Sequence, residues 1–91
     1  MSVSPPLGIP PQQVDDALSR EAQRARELAA HGRLVRLWSL PAEPGIFRAL
    51  GLWQAGSSAE IAAIVAALPL RPWMVVETIP LTPHPNDPAG R

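Results

Sequence analysis

Between residues 12 and 32 the side chains of Val14, Ala17, Leu18, Ala25, Leu28 and Ala29 recur at steps of three and four, which gathers them on one face of a helix. Pro10 and Pro11 precede its first turn, Asp15 and Asp16 stand near its start, where the helix dipole favours anions, and Gly32 supplies a stop. A second helix is predicted over residues 57–68, where Ile61, Ile64, Val65 and Leu68 form the stripe and Ser57-Ser58-Ala59-Glu60 reads as a capping box. Between the helices, residues 34–40 and 47–54 are rich in Leu, Val and Trp and are joined by the turn-forming run Pro41-Ala42-Glu43-Pro44-Gly45, the pattern of an antiparallel hairpin. Residues 73–79 (WMVVETI) predict a further strand, residues 1–4 the stub of another, and residues 82–91 an extended Pro-rich tail.

The resulting order, β-α-β-β-α-β, is the split βαβ pattern of the ferredoxin-like class. It predicts an α+β fold with two helices on one face of a four-stranded antiparallel sheet. In a sheet wet on one side, every second position is polar, yet Leu34, Leu37, Trp38, Leu40, Leu50, Leu52, Trp53, Trp73, Met74, Val75 and Val76 populate both parities. Two helices cover one face only. The expectation is therefore a homo-oligomer whose sheets pack face to face, an α/β barrel built from more than one copy.

Composition narrows the function classes. A chain of 91 residues allows one domain, taken here as residues 1–91 including the tail. Eight Lys and Arg against eight Asp and Glu leave no net field for a phosphate backbone or an anionic membrane. No nucleic-acid or membrane partner is expected. The chain has no cysteine, and its two histidines lie outside any zinc motif, so no metal site is expected. The N-terminus lacks the basic start and apolar core of a signal peptide, and no apolar run approaches membrane-spanning length, which points to a cytoplasmic protein.

One charged residue breaks the pattern of the first helix. With Val14 at zero and about 100° per residue, the apolar positions fall between roughly −60° and +60°, and Glu21 falls near −20°, inside the stripe. Asp15, Asp16 and Glu27 all point elsewhere. Burying a lone carboxylate is costly, so Glu21 either has a partner or faces a cavity as a candidate general acid/base. The structural alternative is an ion pair with Arg36 or Arg48 from a strand, holding helix to sheet. Arg20 and Arg24 border the stripe and read as solvated.

Several runs together resemble a known family. Arg20-Glu21 in a helix ending at Gly32, then Leu37-Trp38, then Leu68-Pro69-Leu70-Arg71-Pro72-Trp73-Met74, then Pro80-Leu81-Thr82-Pro83-His84-Pro85 are similar to muconolactone isomerases over about residues 10–88. The LPLxP[WY]M run is the specific element. The resemblance implies a ferredoxin-like homodecamer that uses no cofactor. It further implies an enzyme that moves a proton and a double bond in muconolactone to give the enol-lactone of 3-oxoadipate, in bacterial breakdown of aromatic compounds. The family's helix-one acid/base falls on Glu21. Because the substrate carries a carboxylate, Arg36 and Arg48 become candidate guanidinium ligands, with Trp38 and Leu50 beside them as substrate-binding wall. The chain departs from the family pattern at Arg36, where a His is usual, at Ala49-Leu50, where Asn-Tyr is usual, and in its short first strand. A partly apolar pocket wall implies a related lactone as an alternative substrate.

Other features are weaker. His84 in the tail reads as exposed or interfacial. Trp38, Trp53 and Trp73 read as core or interface, since the basic residues that accompany a base-stacking platform are missing. Two other function classes fit the same fold: a non-catalytic oligomeric small-molecule-binding protein, and a cofactor-free dimeric-barrel monooxygenase.

Overall fold

The computed structural model describes residues 1–89; positions 90 and 91 at the end of the tail lie outside the described residues. Seven elements follow in chain order: β1 (Ser2–Val3), α1 (Pro11–Ala30), β2 (Leu34–Leu40), β3 (Phe47–Trp53), α2 (Ser58–Ala66), a 3₁₀ turn (Arg71–Trp73) and β4 (Met74–Val75). The sheet order is β2-β3-β1-β4 and every neighbouring pair is antiparallel, the ferredoxin-like arrangement expected from the element order.

Helix α1 starts earlier than its apolar stripe. Pro11 occupies the first helical position, where its missing N–H costs nothing. Asp15 and Asp16 consequently fall in the second turn, and no acid occupies the first. At the other end Gly32 adopts a φ of +73°, and two hydrogen bonds close the helix: Gly32 N–H to Ala29 O at 3.0 Å and Arg33 N–H to Leu28 O at 2.8 Å. This is a Schellman cap, which needs the left-handed conformation glycine adopts freely. Helix α2 is capped as its sequence predicts, with Ser57 Oγ accepting from Glu60 N–H at 3.1 Å. Its reciprocal bond differs by one residue, since Glu60 Oε2 accepts from Gly56 N–H at 3.0 Å instead of from the cap residue itself.

The hairpin forms over the expected residues, with one irregularity. Leu34 pairs with Trp53 and Arg36 with Leu52, so Val35 is an extra residue in the ladder, a β-bulge. The bulge places Leu34 and Leu37, three apart in sequence, on the same face. Part of the double-parity apolar pattern is therefore a phase shift along one strand.

Strand β4 is much shorter than the 73–79 stretch expected. Trp73 belongs to the preceding 3₁₀ turn. The ladder with β1 consists of Ser2 opposite Val75 and Val3 opposite Met74, and positions 77–79 have no ladder partner among the described residues. An edge strand with no partner opposite does not continue as a ladder. The first strand is likewise a two-residue stub, followed by Pro5 and Pro6, which cannot donate to a ladder.

The core lies between helices and sheet. Val3, Ala17, Leu28, Leu34, Leu68, Leu70 and Met74 are buried, with Leu18, Ala25, Trp53, Ile64 and Trp73 packed around them. Ala29, at the margin of the predicted stripe, is exposed. No helix among the described residues is long and apolar enough to cross a membrane.

Candidate active site

Register divides the sheet into two faces. Val3, Phe47 and Met74 stand opposite one another, and the burial of Val3 and Met74 beside Ala17 and Leu28 marks theirs as the helix face. Arg36, Trp38 and Leu40 stand opposite Leu52, Leu50 and Arg48, and Arg48 in turn stands opposite Ser2, whose other partner is Val75. These residues form the second face. No helix among the described residues covers it: Trp38 is 40%, Leu50 55% and Val75 75% exposed.

Glu21 lies on the helix side. It is half-buried, and its Oε1 accepts a hydrogen bond of 3.0 Å from the main-chain N–H of Leu70, a residue 49 positions away. The carboxylate thus has a partner, but a main-chain one; neither Arg36 nor Arg48 forms an ion pair with it. The turn carrying Leu70 is tightly made. Arg71 N–H bonds Leu68 O at 2.9 Å, Trp73 N–H bonds Leu70 O at 2.9 Å, and Arg71 Nη1 bonds Met74 O at 2.8 Å. Leu68 and Leu70 plug the core on either side of Pro69.

The remaining candidate residues are occupied elsewhere. Arg36 holds its guanidinium carbon 4.9 Å from the centre of the Trp38 ring, a cation–π contact on the second face. Arg48 donates through Nη1 to Pro41 O at 3.0 Å, fastening the hairpin turn. Arg24 pairs with Glu27 at 3.1 Å on the solvent side of α1, and Arg20 contacts its own helix at Asp16 O. His84 accepts from Asn86 N–H at 2.9 Å through Nδ1, a turn within the tail. Two open surface depressions, one at Pro41, Ala42, Glu43 and Arg48 and one in the tail around His84, do not include Glu21.

Within one chain, then, Glu21 and the set Arg36, Trp38, Arg48 and Leu50 lie on opposite sides of the sheet. The structure also brings to Glu21 a group that a search for functional side chains passes over, the Leu70 amide. Its signal in the sequence is Pro69, which fits the second position of a turn and leaves the following N–H outside the turn's own hydrogen bond.

A family model described as muconolactone delta-isomerase matches residues 1–87. A muconolactone Delta-isomerase of Cupriavidus pinatubonensis is 30% identical over 87 residues, covering 96% of this chain and 91% of that protein. Proteins of the same name from Rhodococcus opacus and Acinetobacter baylyi are 29% and 28% identical, each over 96% of this chain and over 90% and 88% of their own lengths.

Proposed function

The chain belongs to the muconolactone delta-isomerase family, a family of isomerases, and from that premise we propose that it shifts a proton and a double bond in a small unsaturated lactone, muconolactone or a close relative, without a cofactor. The observation that carries this reading is the extent of the match: the family model runs over residues 1–87, and the alignment with the Cupriavidus relative spans nine-tenths of that protein, so the likeness covers the whole domain and is not confined to one motif.

Glu21 is the proposed acid/base. A base removes a proton from the ring carbon bearing the substrate's side arm. The C–H electron pair becomes the new ring double bond, the pair of the old one shifts into the bond between the α carbon and the carbonyl carbon, and the carbonyl π pair moves onto oxygen, giving a dienolate. When the dienolate collapses, the conjugate acid returns the proton to the carbon beside the carbonyl. One carboxylate performs both halves, and no atom is gained or lost. The half-buried position of Glu21 on the apolar face of α1 supports this role, because it sets the carboxylate beside apolar side chains that can hold a lactone ring out of bulk water.

Arg36 and Arg48 are the proposed ligands of the substrate carboxylate, with Trp38 and Leu50 as apolar wall. Lying across the sheet from Glu21, they can meet the substrate only from a second copy. The assembly is accordingly proposed to be a homo-oligomer that covers the second sheet face. A monomer of 9.8 kDa ordinarily exposes about 5,200 Å², whereas this chain exposes 6865 Å². Exposed apolar residues such as Leu50, Val75, Ile79 and Leu81 contribute to that excess, which favours association.

The test is turnover. Purified protein should convert muconolactone to the enol-lactone of 3-oxoadipate with no added metal or cofactor, and Glu21→Gln should lower the rate by about 10² to 10⁴ while leaving the fold intact. A Glu21→Gln protein as active as the parent would remove Glu21 from the mechanism; an inactive parent would defeat the isomerase reading.

A further inference from the structure

We propose that the main-chain N–H of Leu70 is the positioning group for the Glu21 carboxylate and determines which of its oxygens exchanges a proton with the substrate; the inference rests on the reading of Glu21 as acid/base. Leu68-Pro69-Leu70-Arg71 has the form of a type I turn. Leu70 has φ −85° and ψ 1°, and the 2.9 Å bond from Arg71 N–H to Leu68 O closes it. In such a turn the third residue's N–H takes no part in the closing bond. Leu70 is only 5% exposed, so this donor is turned away from water and has Glu21 Oε1 as its acceptor.

A carboxylate on a glutamate arm swings about three single bonds. Tying Oε1 to a donor rooted in the core removes most of that freedom, because the turn is braced: Pro69 fixes one of its φ angles and Pro72 the φ of the residue that follows it, Leu68 and Leu70 anchor it on both sides, and Arg71 clamps it to Met74 O. With one lone pair of Oε1 engaged by the N–H, Oε2 is the oxygen left to take the proton. A shuttle needs one basic atom held at near-constant distance from two carbons, and a fixed Oε2 meets that requirement. The Leu-Pro-Leu-Arg-Pro-Trp run thereby acquires a function besides linking α2 to β4: it carries a rigid donor to the first helix.

The decisive experiment replaces Leu70 by its α-hydroxy acid in the full chain, which swaps the amide N–H for an ester oxygen and keeps the side chain. Turnover of muconolactone by this protein should show kcat lowered by about tenfold to a hundredfold with KM within about threefold of the parent, the signature of a misaimed base rather than a lost binding contact. In the Glu21→Gln background the same replacement should add little, since the group it aims no longer accepts protons. A second variant, Glu21→Asp, retains the carboxylate on an arm one methylene too short to reach both Leu70 and the substrate, and should show the same drop in kcat at similar KM. Parent-like kcat in the ester protein, or in Glu21→Asp should the ester protein not fold, overturns the positioning role while the loss in Glu21→Gln upholds the isomerase. Absence of turnover in the parent overturns both.

Discussion

Glu21 occupies a place on α1 that an apolar residue would fill by pattern alone, between Ala17 and Leu18 on one side and Ala25 and Leu28 on the other. It is tolerated there because the Leu70 N–H needs an acceptor and receives one. The consequence for stability is intermediate. Glu21→Leu removes no buried ion pair, but it strands a buried donor, and chemical denaturation should show a loss of about 1 to 3 kcal/mol, whereas Glu21→Gln, which still offers an oxygen, should lose about 1 kcal/mol or less. A loss beyond about 4 kcal/mol in Glu21→Leu would mean that a charge partner has been broken instead. Gly51 is constrained differently. It shares the helix face of β3 with Trp53, whose indole lies so close that a Cβ at Gly51 would collide with its Nε1. Gly51→Ala should displace the indole and lower stability by roughly 1 to 3 kcal/mol, with a shift in tryptophan emission as the accompanying signal.

The elements differ in how much of their stability is local. Helix α2 has no fully buried residue, so its nine residues lean on the Ser57 cap and on the Arg33–Glu60 ion pair at 2.7 Å, which ties its first turn to the segment leaving α1. Ser57→Ala should therefore cost about 1 kcal/mol, with hydrogen exchange rising first in α2. Helix α1 carries Ala17 and Leu28 into the core and ends on Gly32 in the left-handed region. Gly32→Ala meets no steric obstacle in space, since nothing lies within 4 Å of the added carbon, yet it should cost about 1 kcal/mol through backbone strain alone. Both strands at the β1–β4 edge are two residues long, the least secured pairing in the sheet.

For the whole molecule, the open second face and the tail belong to one question. The radius of gyration is 14.8 Å, against about 12 Å for a compact domain of this length, and Ile79 and Leu81 project from a segment without helix or strand. Four prolines between positions 80 and 88 limit the freedom such a segment would lose on docking. If a second copy covers the face and orders the tail, Trp38→Glu or Leu50→Glu should shift sedimentation toward the monomer, and removal of residues 82–91 should weaken assembly and lower the melting temperature. A parent that sediments as a well-folded monomer at micromolar concentration contradicts this arrangement.

Helix positions, the hairpin and the element order were legible in the sequence because each rests on local rules: a 3.6-residue stripe between prolines, a serine three residues before a glutamate, a glycine where a helix must stop. Glu21 was legible for the same reason, as a charge in phase with an apolar stripe. Its partner was not: Pro69 marks a turn whose next N–H is free of the turn's own bond, but no periodicity links residue 21 to an amide 49 positions later. The bulge at Val35 was equally hidden; one extra residue in a ladder reverses which face every earlier side chain takes, and only the pairing partner reveals it. The brevity of β4 was hidden too: its composition favours a longer strand, and only the observed pairing shows that the ladder holds Met74 and Val75 alone. By itself the sequence determined what each segment can form and that one acid must be accommodated within the apolar layer. Tertiary structure decided which donor meets that acid and placed the two arginines on the far side of the sheet, because both outcomes depend on how distant segments align.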